Sequence, residues 1–141
     1  MANSATGTAG PDGICFGPNG SGKVYVSMFV HRGGNPRKSQ WLASVTPTTE
    51  YEVFCRADSQ DWRDSAHNYW GVLDAEASSL GTRGERLAKF LRNEVETAAW
   101  HGYPVSPASG SAGDTPEDVL VESWISAGSV AVGRKIQRRR I

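Results

Sequence analysis

The pattern of apolar and polar positions changes sharply at Lys23. KVYVSMFVHR, residues 23–32, places Val24, Val26, Met28 and Val30 on one face and Tyr25, Phe29 and His31 on the other. A period of two with β-branched and aromatic residues predicts a strand apolar on both faces, hence a central one. GGNPRKS then reads as a loop. QWLASVT (40–46) and YEVFCRA (51–57) predict two further strands joined by a turn around Pro47, which together give a short antiparallel meander.

Helical spacing dominates the second half. Trp62, Ala66, Tyr69, Trp70, Leu73, Ala77 and Leu80 recur at intervals of one, three or four, with Gly81 as a stop, although NYWGVL inside this stretch also reads as a strand. Thr82 and Glu85 have capping-box spacing, and Leu87, Phe90, Leu91, Val95 and Ala98 follow as one apolar stripe, which predicts a helix over residues 82–98. Thr115, Pro116 and Asp118 open a last helix with Val119, Leu120, Trp124 and Ala127 on one face and Gly128 at its end. SVAVGRKI predicts a closing strand. These elements predict an α+β fold: a single domain with a three- to four-stranded, mainly antiparallel sheet and two or three helices packed on one face.

Residues 1–22 are rich in Gly, Ser, Ala and Pro with Asp12 as their one charge, a composition that predicts a flexible N-terminal segment. The α+β domain then occupies residues 23–133, and residues 134–141 form a basic C-terminal tail. The formal charge of the 141 residues is zero, but five of the fifteen basic residues are Arg134, Lys135, Arg138, Arg139 and Arg140, and no acid follows Glu122. The body is therefore acidic and the tail basic. No basic, then apolar, leader opens the chain and no apolar run approaches the roughly 20 residues of a bilayer span, so a cytoplasmic protein without a membrane partner is expected. Cys15 and Cys55 are too few for a disulfide framework.

Gly17, Gly22 and Lys23 in GPNGSGKV meet the spacing G-x-x-x-x-G-K. Over these eight residues the chain resembles the phosphate-binding loop of the ATP-binding cassette family, which would imply a cradle of backbone N–H groups around a nucleotide phosphate. The surroundings depart from that pattern. Val24 stands where a Ser or Thr would bind magnesium, and the lysine leads into a strand instead of a helix. The reading preferred here is a lead-in to the first strand, and no nucleotide or other cofactor is expected.

His31, His67 and His101 lie far apart in sequence and no Cys or His pair has metal-ligand spacing, so no metal site is expected. Cys55 reads as a packed residue, and no G-x-S-x-G elbow is present. Two stretches remain as candidates. The first is WHGYPV, residues 100–105, read as a corner at a helix exit in which Trp100 and Tyr103 plug the gap between helix and sheet, or rim a pocket. There His101 would be an acid, a base or an anion contact. The second is the tail, whose arginines suit phosphate or carboxylate. The resulting expectation is a non-enzymatic binding protein. It presents Arg134, Lys135, Arg138, Arg139 and Arg140, with Trp100, His101 and Tyr103, to a nucleic acid or an acidic protein. A small hydrolase or nuclease using His101 as general acid or base is the alternative.

Overall fold

The structure is a computed structural model that describes residues 6–92 and 99–141. Among the described residues six strands form one mixed sheet: β1 (Thr8–Ala9), β2 (Gly13–Phe16), β3 (Tyr25–Met28), β4 (Tyr69–Gly71), β5 (Leu87–Arg92) and β6 (Trp100–Val105). Their order across the sheet is β1-β2-β3-β6-β5-β4. Every neighbouring pair is antiparallel except β3 and β6, which run parallel with Tyr25 beside Trp100. Three α-helices among the described residues complete the α+β fold: α1 (Pro47–Ser59), α2 (Asp118–Ala127) and α3 (Gly133–Gln137). The sheet thus has more strands than the sequence predicts. Two of them, β1 and β2, lie in the segment whose composition points to flexibility.

The largest correction is α1. QWLASVT forms no strand, only a bridge from Trp41 to Gly81, and YEVFCRA is helical. The reason is local: the Thr46 side chain accepts from the backbone N–H of Thr49, and Pro47 occupies the first turn, where its missing N–H costs nothing. Once the helix starts there, Tyr51, Phe54, Cys55 and Ala57 share a buried face. Phe54 packs edge-on against Tyr69 and stacks with Tyr25, which fixes α1 across β3 and β4.

Residues 82–92, the described part of the helix predicted over 82–98, are the second correction. Glu85 does accept from the backbone N–H of Arg83, but it closes a turn, with Gly84 at positive φ, and strand β5 follows. Leu87, Phe90 and Leu91 fit one helical stripe, yet Ala88 and Phe90 alternate with Leu87, Lys89 and Leu91 equally well. Pairing with β4 and β6 on both sides selects the strand. Val95 and Ala98 lie outside the described residues. Within 62–80, Tyr69–Gly71 is strand β4, the second of the two readings of NYWGVL.

Helix α2 ends at Gly128 in the left-handed region, as its spacing predicts. Its buried face is Leu120, Val121 and Trp124, whereas Val119 is 83% exposed and Ala127 is exposed as well. SVAVGRKI ends in α3, not a strand; Gly133 lets α3 approach α2, since a Cβ there would sit 2.5 Å from Ile125. Trp124 meets Trp62 edge to face, joining α2 to the main core. Among the described residues no helix is long and apolar enough to cross a membrane.

Candidate functional site

WHGYPV is not a corner but strand β6, inside the sheet between β3 and β5. Strand alternation therefore separates its residues. Trp100 points to the α1 side, 5.7 Å from the Phe54 ring and 5.1 Å from that of Tyr69, and is only 8% exposed. His101 and Tyr103, one and three positions on, are half-buried on the opposite side, where Tyr103 stacks on His31 with ring centroids 5.3 Å apart. Burial, with the neighbouring His31 adding to it, holds His101 below the ordinary histidine range. Its Nδ1 is buried without a hydrogen-bond partner among the described residues. His101 sits at no helix end, and the dipole argument for a charged imidazole does not apply to it.

The basic tail is a packed element. Ile136 of α3 is 0% exposed. Arg134 Nη1 lies 2.9 Å from Glu122 Oε2 of α2, and Gln137 donates to the same oxygen at 2.6 Å. The hydrogen bond from Gln137, with the Arg134 charge beside it, keeps the Glu122 carboxyl below its usual range. Beyond α3, the Ile141 carbonyl accepts from the Ala108 N–H at 3.0 Å, so the last residue is tied back past the C-terminal end of β6. Lys135, Arg138, Arg139 and Arg140 are exposed, and among the described residues no carboxylate lies within ion-pair distance of them. Trp100 belongs to the other end of β6. It borders a cleft of about 600 Å³ with Lys23, Arg63, Arg92, Asn68 and Tyr69. Of the residues read as one presenting surface, Trp100 thus lies on the opposite side of the sheet from His101 and Tyr103.

Two polar clusters escape the sequence reading. In the first, the glycine-rich loop docks on α1. Asn19 Oδ1 accepts from the backbone N–H groups of Ser21 and Lys23, closing the turn on itself. Asn19, Ser21 and Lys23 then converge on Asp58. Burial pushes the Asp58 carboxyl up, but the hydrogen bonds from Ser21, Lys23 and Asn19 outweigh it and leave the carboxyl below its ordinary range.

In the second, Glu50 of α1 is 0% exposed and accepts from Tyr25 Oη, from Ser27 Oγ at 2.6 Å and from Arg32 Nη2 at 2.8 Å. Burial raises the Glu50 carboxyl above its usual value despite those donors, and burial followed by the Glu50 charge holds the Tyr25 phenol far above its own. The signal for this cluster was Thr46-Pro47: a helix started there places Glu50 in the first turn, facing the sheet. Among the described residues no three His, Cys, Asp or Glu side chains converge on a metal position. Compared with family models, with curated proteins and with solved structures, the chain finds no match in any of the three.

Proposed function

We propose that this chain is a non-enzymatic nucleic-acid-binding protein whose contact surface is the anchored basic segment around α3. One observation carries the reading: Lys135, Arg138, Arg139 and Arg140 are exposed, while the backbone between and beside them is held by buried Ile136, by the Arg134–Glu122 pair and by the Ile141–Ala108 bond. Cations on a held backbone lose less conformational freedom when they meet phosphates than the same residues on a loose tail would. Arginine adds bidentate geometry toward phosphate oxygens. Neutralised phosphates release counterions, which supplies affinity without sequence preference.

The hydrolase reading draws no support from His101, since among the described residues no third group orients its Nδ1, as a base acting on a nucleophile would be oriented. The four outward cations are the variants to test, since replacing them with glutamine leaves Ile136 and Arg134 in place. Loss of duplex binding with an unchanged unfolding curve supports the proposal, and retained binding removes it. Any nuclease activity of the wild type that His101→Ala abolishes would restore the enzyme reading.

A further inference from the structure

The cleft of about 600 Å³ beside Trp100 is walled by cations from three places in the chain. Lys23 precedes β3, Arg63 belongs to the loop between α1 and β4, and Arg92 ends β5. The Lys23 ammonium and the Arg63 guanidinium lie 5.8 and 6.0 Å from the centre of the Tyr69 ring, and Tyr69 meets Trp100 edge to face at 5.1 Å. Arg92 is the cross-strand partner of Trp100, which places it on the same side of the sheet. The loop that carries Arg63 is held from within. Asp64 accepts from the backbone N–H groups of Ala66 and Asn68 and from the Trp70 indole, each at 2.9 Å, and Glu117 accepts from the Ser65 N–H at 2.7 Å. Those carboxylates are spent on the loop itself. The side chains of His67 and Asn68 stand on the cleft wall, and among the described residues neither makes a hydrogen bond.

Charge and donor count narrow the occupant. Among the described residues no carboxylate lines the cleft. Asp58 neutralises Lys23 at 2.9 Å, and Asp61 reaches Arg63 through Nε at 3.3 Å. Arg92 is exposed and, among the described residues, has neither a hydrogen bond nor an ion pair, and the Nη groups of Arg63 have no hydrogen-bond acceptor. The wall therefore offers donors from several directions, one uncompensated positive charge and no anionic acceptor of its own. A cleft lined by one sign of charge concentrates the opposite ion. Two guanidinium groups on different elements suit an anion whose acceptors lie in more than one plane, which a phosphate has and a carboxylate lacks. We infer that this cleft binds a phosphate group, held by Arg63 and Arg92 with His67 and Asn68 as further donors. The Lys23–Asp58 pair stays intact behind it. This site is independent of the basic segment at α3, which is tied back past the other end of β6.

Inorganic phosphate is the probe, with sodium chloride at equal ionic strength as its control. Affinity is expected in the millimolar range, where heats are too small to follow and resonance shifts are the readout. In a ¹⁵N-labelled sample of the full chain, the assigned backbone resonances of His67, Asn68 and Arg92 should move saturably with phosphate and stay in place with chloride. Arg92→Gln, at an exposed position, is expected to weaken phosphate binding about tenfold, the loss of one charge-assisted contact. Asn68→Asp keeps every arginine, sets a carboxylate on the wall and should weaken it as well. Unmoved resonances, an equal response to chloride, or undiminished binding in either variant would each overturn the inference. Competition separates the sources of the phosphate. Displacement by phenyl phosphate supports a site for free monoesters. Displacement by a 5′-phosphorylated dinucleotide, but not by phenyl phosphate or the 5′-hydroxyl dinucleotide, supports one for a strand end, and displacement by none of them overturns the site. Duplex binding by the four tail cations is read separately and is unaffected in every case.

Discussion

The Lys23 ammonium lies 2.9 Å from the Asp58 carboxylate, and Asn19 donates to that same carboxylate from the turn that Lys23 closes. A loop with phosphate-loop spacing is thereby bound to an acid of its own chain, with its lysine committed and a strand directly after it. Wild-type protein is expected to give no saturable heat with magnesium-ATP in calorimetry. Magnesium-dependent binding lost in Lys23→Ala would contradict that. Asp58→Ala leaves three donors short of an acceptor and is expected to cost about 1–3 kcal/mol. The pH dependence has a definite sign. Because the folded Asp58 carboxyl lies below its unfolded value, its contribution is complete above the ordinary aspartate range and disappears as pH falls through the folded value. An acid titration of the unfolding midpoint, wild type against Asp58→Asn, should converge at low pH.

Glu50 behaves in the opposite sense. Its carboxyl is raised on folding, so the folded state holds its proton to higher pH, and stability falls as pH rises from the ordinary glutamate range through the folded value. Removing the carboxylate outright, as in Glu50→Ala, strands the Arg32 guanidinium and two hydroxyl donors and is expected to cost about 3–5 kcal/mol by urea unfolding. A loss below 1 kcal/mol, on the order of a surface pair, would mean that the cluster is not buried as described.

Gly102 tests the strand pairing. It faces Phe90 across β5 and β6, and a Cβ built there would lie 2.2 Å from Phe90 Cδ1 and 2.8 Å from the Lys89 carbonyl. Gly102→Ala should destabilise by about 1–3 kcal/mol through overpacking. An unchanged denaturation midpoint would rule out this register.

What the sequence makes legible follows from how local each signal is. The α2 stop at Gly128 and the strand in residues 23–32 depend on residues within one turn or one alternation; the stop appears where predicted, and the strand forms over Tyr25–Met28 before giving way to a 3-10 turn at Phe29–His31. YEVFCRA fails because its β-branched and aromatic residues suit either state, and the deciding signal lies upstream in Thr46-Pro47, a helix start that also reads as a turn. LAKFLR fails for a non-local reason: pairing with β4 and β6 outweighs a helical stripe and a Thr–Glu spacing that serves a turn equally well. The five tail cations are plain in the sequence, but not that Arg134 is consumed by Glu122 or that Ile136 anchors the helix, since both contacts reach across to α2 or the core. Glu50, Arg32 and Trp41 are drawn together only once α1 lies over β3.

The most direct test of the account is the salt dependence of duplex DNA binding. Wild-type protein and the variant Lys135→Gln/Arg138→Gln/Arg139→Gln/Arg140→Gln would be compared, with thermal unfolding of both as the control. If the four outward cations each neutralise one phosphate, the logarithm of the wild-type affinity should fall against the logarithm of salt concentration with a slope of about −3.6. The variant should lose that slope and most of the affinity at low salt while melting at the wild-type temperature. A folded variant that binds duplex DNA with an undiminished slope, or a wild type with no salt-dependent binding, would contradict the account.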